Sequence, residues 1–327
     1  MKTIRLLIIT CATLTLASLA NAQKYHAFIW NSATGLTDLG TLGGDVSYAT
    51  GINDSGQVVG RAYLADNVTY HTFIWTASGG MVDIGTLPGG AWSHGETINS
   101  AGNVTGEAAN AAGQTVPFYW SPSGGFVVLN QPGATNYAFN INDANVMTGQ
   151  IYNQAYIWSP NHAMPKFLGY LSGGSITTGY GINNQGFVTG AALVASGSWH
   201  AFVWSGNKGM FDIGTPTGGG YTSGRAINSR NQVAGFGGTP LKAFYWTPSG
   251  GMVIMRTLGG ADALALDMND GGAITGYSTV ASGLTHGALW SNYTSAPQDL
   301  GTLPGGTNSY GYAINNAGQV VGYADVP

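Results

Sequence analysis

Ile52-Asn53-Asp54-Ser55-Gly56-Gln57-Val58-Val59-Gly60 decides the fold, because it returns six more times along the chain. The copies begin at Ile98, Ile141, Ile182, Ile227, Met268 and Ile314, and each keeps Asn second and Gly ninth. The fifth residue is Gly56, Gly102, Asn145, Gly186, Asn231, Gly272 or Gly318. Gly and Asn are the residues that tolerate positive φ. The restriction predicts a type I turn followed by a left-handed residue, the short hairpin with a G1 bulge. The Asn side chain can accept from backbone N–H groups two residues on, so the Asn column reads as structural.

Three residues before the Ile stands a column of Ala49, Gly95, Ala138, Gly179, Gly224, Ala265 and Gly311, which suggests crowding. Downstream of the final Gly comes an apolar strand ending in Trp30, Trp75, Trp120, Trp158, Trp204, Trp246 or Trp290, at intervals of 38 to 46 residues. In His26-Ala27-Phe28-Ile29-Trp30 both strand faces are apolar, as a strand packed between two sheets requires. A Gly-Met-Val-Asp type strand follows. Four short strands per 40 to 50 residues is the mark of a propeller blade. The expectation is an all-β, seven-bladed β-propeller with four antiparallel strands per blade. The crowded strand is innermost (a), then the Val-rich strand (b), the Trp strand (c) and the outer strand (d). The repeats begin on strand c and end on strand b, so N- and C-terminal strands would pair and close the ring.

Residues 1–22 read as a signal peptide: Lys2 and Arg5, the apolar run Leu6 to Ala17, and Ala20-Asn21-Ala22 before the cut. Residues 23–327 then form one propeller domain. The single cysteine, Cys11, falls in the leader, so the exported domain is held by packing without disulfides. Charged residues make up 7% of the chain and the formal net charge is −4, with no basic stripe, which argues against nucleic acid. No second apolar run of membrane-spanning length appears, so no membrane insertion is expected. A monomer is expected.

The His-Ala-Phe-x-Trp strands (His26 to Trp30, His200 to Trp204), Asp38-Leu39-Gly40-Thr41-Leu42-Gly43-Gly44 and Ile-Asn-x-x-Gly-x-Val-x-Gly together resemble the HAF family of extracellular repeat proteins. The likeness covers residues 23–327 and implies bacterial export and a repeat fold. It supplies no catalytic residues. Val128 and Asn130 in the third repeat, and Ala288 in the seventh, depart from the pattern.

The a–b turns are nearly constant, whereas the b–c loops vary (Arg61 to Tyr70, Glu107 to Val116, Gln150 to Asn153, Ala191 to Trp199). Function concentrates on variable loops of a rigid scaffold, so the face carrying the b–c and d–a loops is the candidate. Strand a varies four and two residues before the Ile: Tyr48, His94, Tyr137, Thr178, Ser223, Leu264, Tyr310, and Thr50, Glu96, Phe139, Tyr180, Arg225, Leu266, Tyr312. Trp92, His94, Glu96, Tyr180, Arg225 and Tyr312 are the candidate ligand-binding residues around the axial opening. A water-filled channel and an incidental Glu96–Arg225 pair explain the same residues blandly. Packing explains Trp92 better than sugar stacking does.

Catalytic signals are weak. A plain hairpin register sets Glu96 opposite Gly106 and Glu107 opposite Gly95, on opposite faces, a poor acid–base pair. His26, His71, His200 and His286 share one repeat column, and no spacing reads as a metal site, so neither metal nor cofactor is expected. Gly218-Gly219-Gly220 precedes no helix and reads as a loop. The leading expectation is a secreted, non-catalytic propeller binding an extracellular carbohydrate or protein through its variable-loop face. The alternatives are a hydrolase or lyase with a polar site at the axial mouth (Glu96, His94, Arg225 or Asp267) and a structural envelope or matrix component.

Overall fold

In the computed structural model, which describes residues 23–129, 136–216 and 220–327, seven four-stranded antiparallel sheets stand in a ring. The segment 1–22, expected to be a signal peptide, together with Asn130 and Gly218-Gly219, lies outside the described residues. The blades span 43–83, 93–128, 137–167, 177–214, 222–254 and 259–299. The seventh joins Ser309–Ile314 and Val320–Val326 to Lys24–Asn31 and Gly35–Asp38. Lys24 pairs with Val326 and Trp30 with Val320, so the chain's two ends share one sheet. The a strands touch one another around the whole circle, and strand a is therefore innermost.

The turns take the expected form. Gly56, Gly102, Gly186, Asn145 and Asn231 have φ of 75°, 79°, 79°, 59° and 60°. Asn53 Oδ1 accepts from the N–H groups of Ser55 and Gln57. Its Nδ2 donates to the carbonyl of Asn99 in the next blade at 3.0 Å. The same bond runs from Asn99 to Asn142, Asn142 to Asn183, Asn183 to Asn228, Asn269 to Asn315, and Asn315 back to Asn53. Only Asn228 differs: its Nδ2 keeps the bond to the Gln232 side chain that Asn53 and Asn315 make to theirs, and meets the Met268 sulfur at 3.9 Å in place of the next blade's carbonyl. The column is a belt around the ring.

The core lies between blades. Phe28, Phe73, Phe118, Tyr156, Phe202 and Phe244 are fully buried, one in each of six blades, with Ala288 in the same place in the blade 259–299. Burial of such aromatics on both faces of each sheet is the main term holding neighbours together. Hydroxyls stitch the seams. Ser47 accepts from Ala27 N–H and donates to Gly40 O; Ser93, Thr177, Thr222 and Ser309 repeat this with the preceding blade. The repeated histidines have outer-strand partners: His26–Asp38, His71–Asp83, His200–Asp212 and His286–Asp299, at 2.7 to 2.8 Å.

The Ala/Gly column is crowded for a different reason than convergence on the axis. A Cβ on Gly95 would lie 2.6 Å from Val59 and 2.7 Å from Thr72, and one on Gly224 would lie 2.2 Å from Thr189 Oγ1. The column faces the side chains of the preceding blade, and blade spacing sets its size.

Candidate functional site

Every a strand carries a β-bulge at the same place. Pairing skips Thr50, Glu96, Phe139, Tyr180, Arg225, Leu266 and Tyr312, each between two paired neighbours. A bulge adds one unpaired residue and re-aims its side chain. All seven are partly exposed on a strand whose neighbours are mostly buried, as expected of groups facing the axial channel. The bulge also presses the carbonyl before it onto strand b. A Cβ on Gly106 would stand 1.9 Å from His94 O, and the other six glycines of that column face equivalent carbonyls.

The bulge corrects the hairpin register. Glu107 lies opposite His94, Gly106 opposite Gly95, and Thr105 opposite Thr97. His94, Glu96 and Glu107 therefore converge, with one ligand-type atom from each within 4.8 Å of the others. His94 Nδ1 is 3.5 Å from Glu96 Oε1. Glu107 is 5% exposed; one oxygen accepts from the Ala138 N–H, while Oε1 and His94 Nε2 have no hydrogen-bond partner. Burial, followed by the nearby Glu96 charge, pushes the Glu107 carboxyl well above the usual range. Burial also raises Glu96, against the pull of Arg61 and Arg225. The His94 imidazole is held well below its ordinary value by burial and by Arg61.

Arg61 comes from strand b of the first blade, with its guanidinium 4.8 Å from the Tyr48 ring centre and 5.3 Å from that of Tyr70. On the fifth blade Arg225 sits 4.1 Å over Tyr180, and Tyr180 meets Phe139 at 5.2 Å. Glu96 and Arg225 sense each other electrostatically, but no direct ion pair joins them among the described residues. Tyr312 packs 5.6 Å from Tyr323, which also meets Tyr48, Tyr310 and Tyr25. His94, Glu96, Tyr180, Arg225 and Tyr312 thus all lie on the innermost strands, ahead of the Asn belt in their blades. Trp92 stands apart from them: its ring packs at 5.5 Å on Tyr70, and its carbonyl accepts from Ala109 N–H and Thr86 Oγ1. Asp267 is engaged elsewhere, accepting from the N–H of Ile314 across a blade seam and from that of Met268 next to it on its own strand.

Arg61 and Glu107 are site residues absent from the strand-a columns. They follow the invariant Gly on strand b, in a column of Arg61, Glu107, Gln150, Ala191, Phe236, Tyr277 and Tyr323 that pairs directly with the outer strand-a column. That column is as irregular as its partner, which is the sequence signal that marks it. At the opposite mouth, a cavity of about 200 Å³ is ringed by the Asn belt and by Asp54, Asp143 and Asp270. Asp54, Asp143 and Asp270 accept backbone N–H groups of adjoining blades there, so that end is structural.

The fold is a seven-bladed β-propeller whose innermost strands carry polar and aromatic side chains at their bulges. No family model and no curated protein sequence matches the chain. Among solved structures, virginiamycin B lyase from Staphylococcus aureus is similar over 93% of this chain and 100% of its own, at 12% identity and a TM-score of 0.52. A protein described as TolB from Agrobacterium tumefaciens covers 94% and 100%, at 9% identity and a TM-score of 0.53. At such identities the likeness establishes the propeller fold alone.

Proposed function

We propose that the protein is an exported propeller that binds an extracellular partner, in the first place a carbohydrate, at its axial mouth. The observation that supports the reading is the ring of bulges, which leaves Glu96, Phe139, Tyr180, Arg225 and Tyr312 unpaired on the innermost strands of their blades. Sugars offer apolar C–H faces to aromatic rings and hydroxyls to carboxylate and guanidinium groups. The leader at 1–22 and the HAF-type motifs support export, and the protein works as a monomer without nucleic acid or membrane insertion. Binding without turnover is the primary activity. A second reading, hydrolase or lyase, is favoured by one observation: Glu96 and Glu107 converge beside His94, near the roughly 5 Å separation that retaining glycosidases use.

The test is a glycan-array screen of the purified protein, followed by calorimetric titration of the best glycan. Arg225→Ala and Tyr180→Ala should each weaken it at least about tenfold, the worth of one cation–π or stacking contact, with thermal midpoints close to wild type. Full binding by both variants would remove the axial mouth from consideration. Turnover of glycoside, ester or lactone substrates that is lost in Glu107→Gln would promote the second reading.

A further inference from the structure

We propose that His94, Glu96 and Glu107 form a binding site for a divalent transition cation, Zn²⁺ or Mn²⁺. The inference stands on the cluster itself and does not depend on which partner the mouth takes. Three donors from one hairpin converge because the bulge at Glu96 brings both carboxylates to the His94 side of the sheet. Ligand atoms at 2.0 to 2.2 Å from a tetrahedral ion lie roughly 3.3 to 3.6 Å apart. The three atoms here lie within 4.8 Å of one another, so binding closes the cluster by about an ångström through side-chain rotation.

Two buried atoms here have no partner. Glu107 is 5% exposed with Oε1 unpaired, and His94 Nε2 is likewise buried and unpaired. A buried carboxylate oxygen left unpaired is costly, and buried charges are otherwise paired or coordinate metals. An imidazole nitrogen with two carboxylates is a mixed N/O donor set, which suits Zn²⁺ or Mn²⁺ better than Ca²⁺ or Mg²⁺. The charges here, two glutamates against Arg61 and Arg225, balance without an ion, and both guanidiniums are drawn onto aromatic rings, Arg61 toward Tyr48 and Tyr70 and Arg225 over Tyr180. The three-residue set leaves coordination positions open toward the channel, where Arg61 and Arg225 would accept an anionic group on the ion.

The experiment is titration of ZnCl₂ and MnCl₂ alone into EDTA-treated protein, by calorimetry and equilibrium dialysis at neutral pH. One ion per chain with a micromolar or tighter dissociation constant is expected for at least one metal. Glu107→Gln should weaken it about a hundredfold, since a first-coordination ligand matters at least as much as its outer-shell partners. His94→Ala, a second variant should Glu107→Gln fail to fold, should do the same. His71→Gln, which opens one of the outer His–Asp pairs, should leave uptake unchanged. Folded wild-type protein that takes up neither ion at millimolar concentration would overturn the site, and would favour a proton held between the two carboxyls. Uptake undiminished in both Glu107→Gln and His94→Ala would place the ion on the outer pairs and overturn it equally.

Discussion

A single methyl group is too much at position 106. The Cβ of an alanine there would stand 1.9 Å from the His94 carbonyl oxygen, and the bulge that presses the carbonyl down cannot relax without moving Glu96. Gly106→Ala should therefore lose at least about 3 kcal/mol, the upper end for overpacking, read as the denaturation midpoint in urea. Asp267 offers a test by pH. Burial pushes its carboxyl up to about 6, with the Ile314 and Met268 N–H groups pulling the other way. Its folded value lies above the unfolded one of about 3.9, so the unfolded chain gives up its proton first. The contribution is complete below about pH 4 and is lost as pH rises through 6, up to roughly 3 kcal/mol. Asp267→Asn should flatten that part of the stability–pH curve, whatever constant offset the lost hydrogen bond adds. The glycine and asparagine columns were plain in the sequence because their backbone demands recur in every copy. The reason for Gly106 was not, since the carbonyl that excludes its side chain belongs to a paired strand.

Strands here are joined twice, by ladders within a blade and by hydroxyls between blades. Ser93 is fully buried, accepts from Thr72 N–H at 2.8 Å and donates to Gly85 O at 2.6 Å. Ser93→Ala leaves a buried N–H without an acceptor and should cost about 1–3 kcal/mol; a calorimetric melt measures it. Strand order, the Phe column and the pairing of Phe28 with Gly322 could all be anticipated from periodicity and from where the repeats begin and end. The strand-a bulge could not. It adds a residue without altering the spacing from Ile to Gly, so a plain hairpin count put Glu96 and Glu107 on opposite faces. Hence the candidate residues were all drawn from strand a and the loop before it, Glu107 on strand b was weighed and set aside on that register, and Arg61 was named only as the start of a variable loop. Trp92 was singled out for lacking a counterpart, and its ring lies on Tyr70 instead.

The ring is one closed circuit, sealed by Lys24–Asn31 against Val320–Val326 and by the belt bond from Asn315 to Asn53. Six blades are continuous in sequence; the seventh is not. That arrangement has a consequence in time. The first strand made is the last to complete its pairing, because Lys24–Asn31 has Gly35–Asp38 beside it at once but waits for Val320–Val326 on its other edge. Contacts so distant in sequence slow folding far more than they alter stability. A circular permutant that joins 326 to 24 through a short linker and opens the chain at Thr41 makes every blade continuous. It should refold about tenfold faster or more, with an equilibrium midpoint within a few degrees of the natural order, as stopped-flow fluorescence of the blade tryptophans would record. During synthesis, the strand Lys24–Asn31 therefore keeps one apolar edge unpaired until Val320–Val326 emerge. That interval, rather than any weakness of the finished ring, is when the molecule is most open to capture by a chaperone, a protease or another copy of itself.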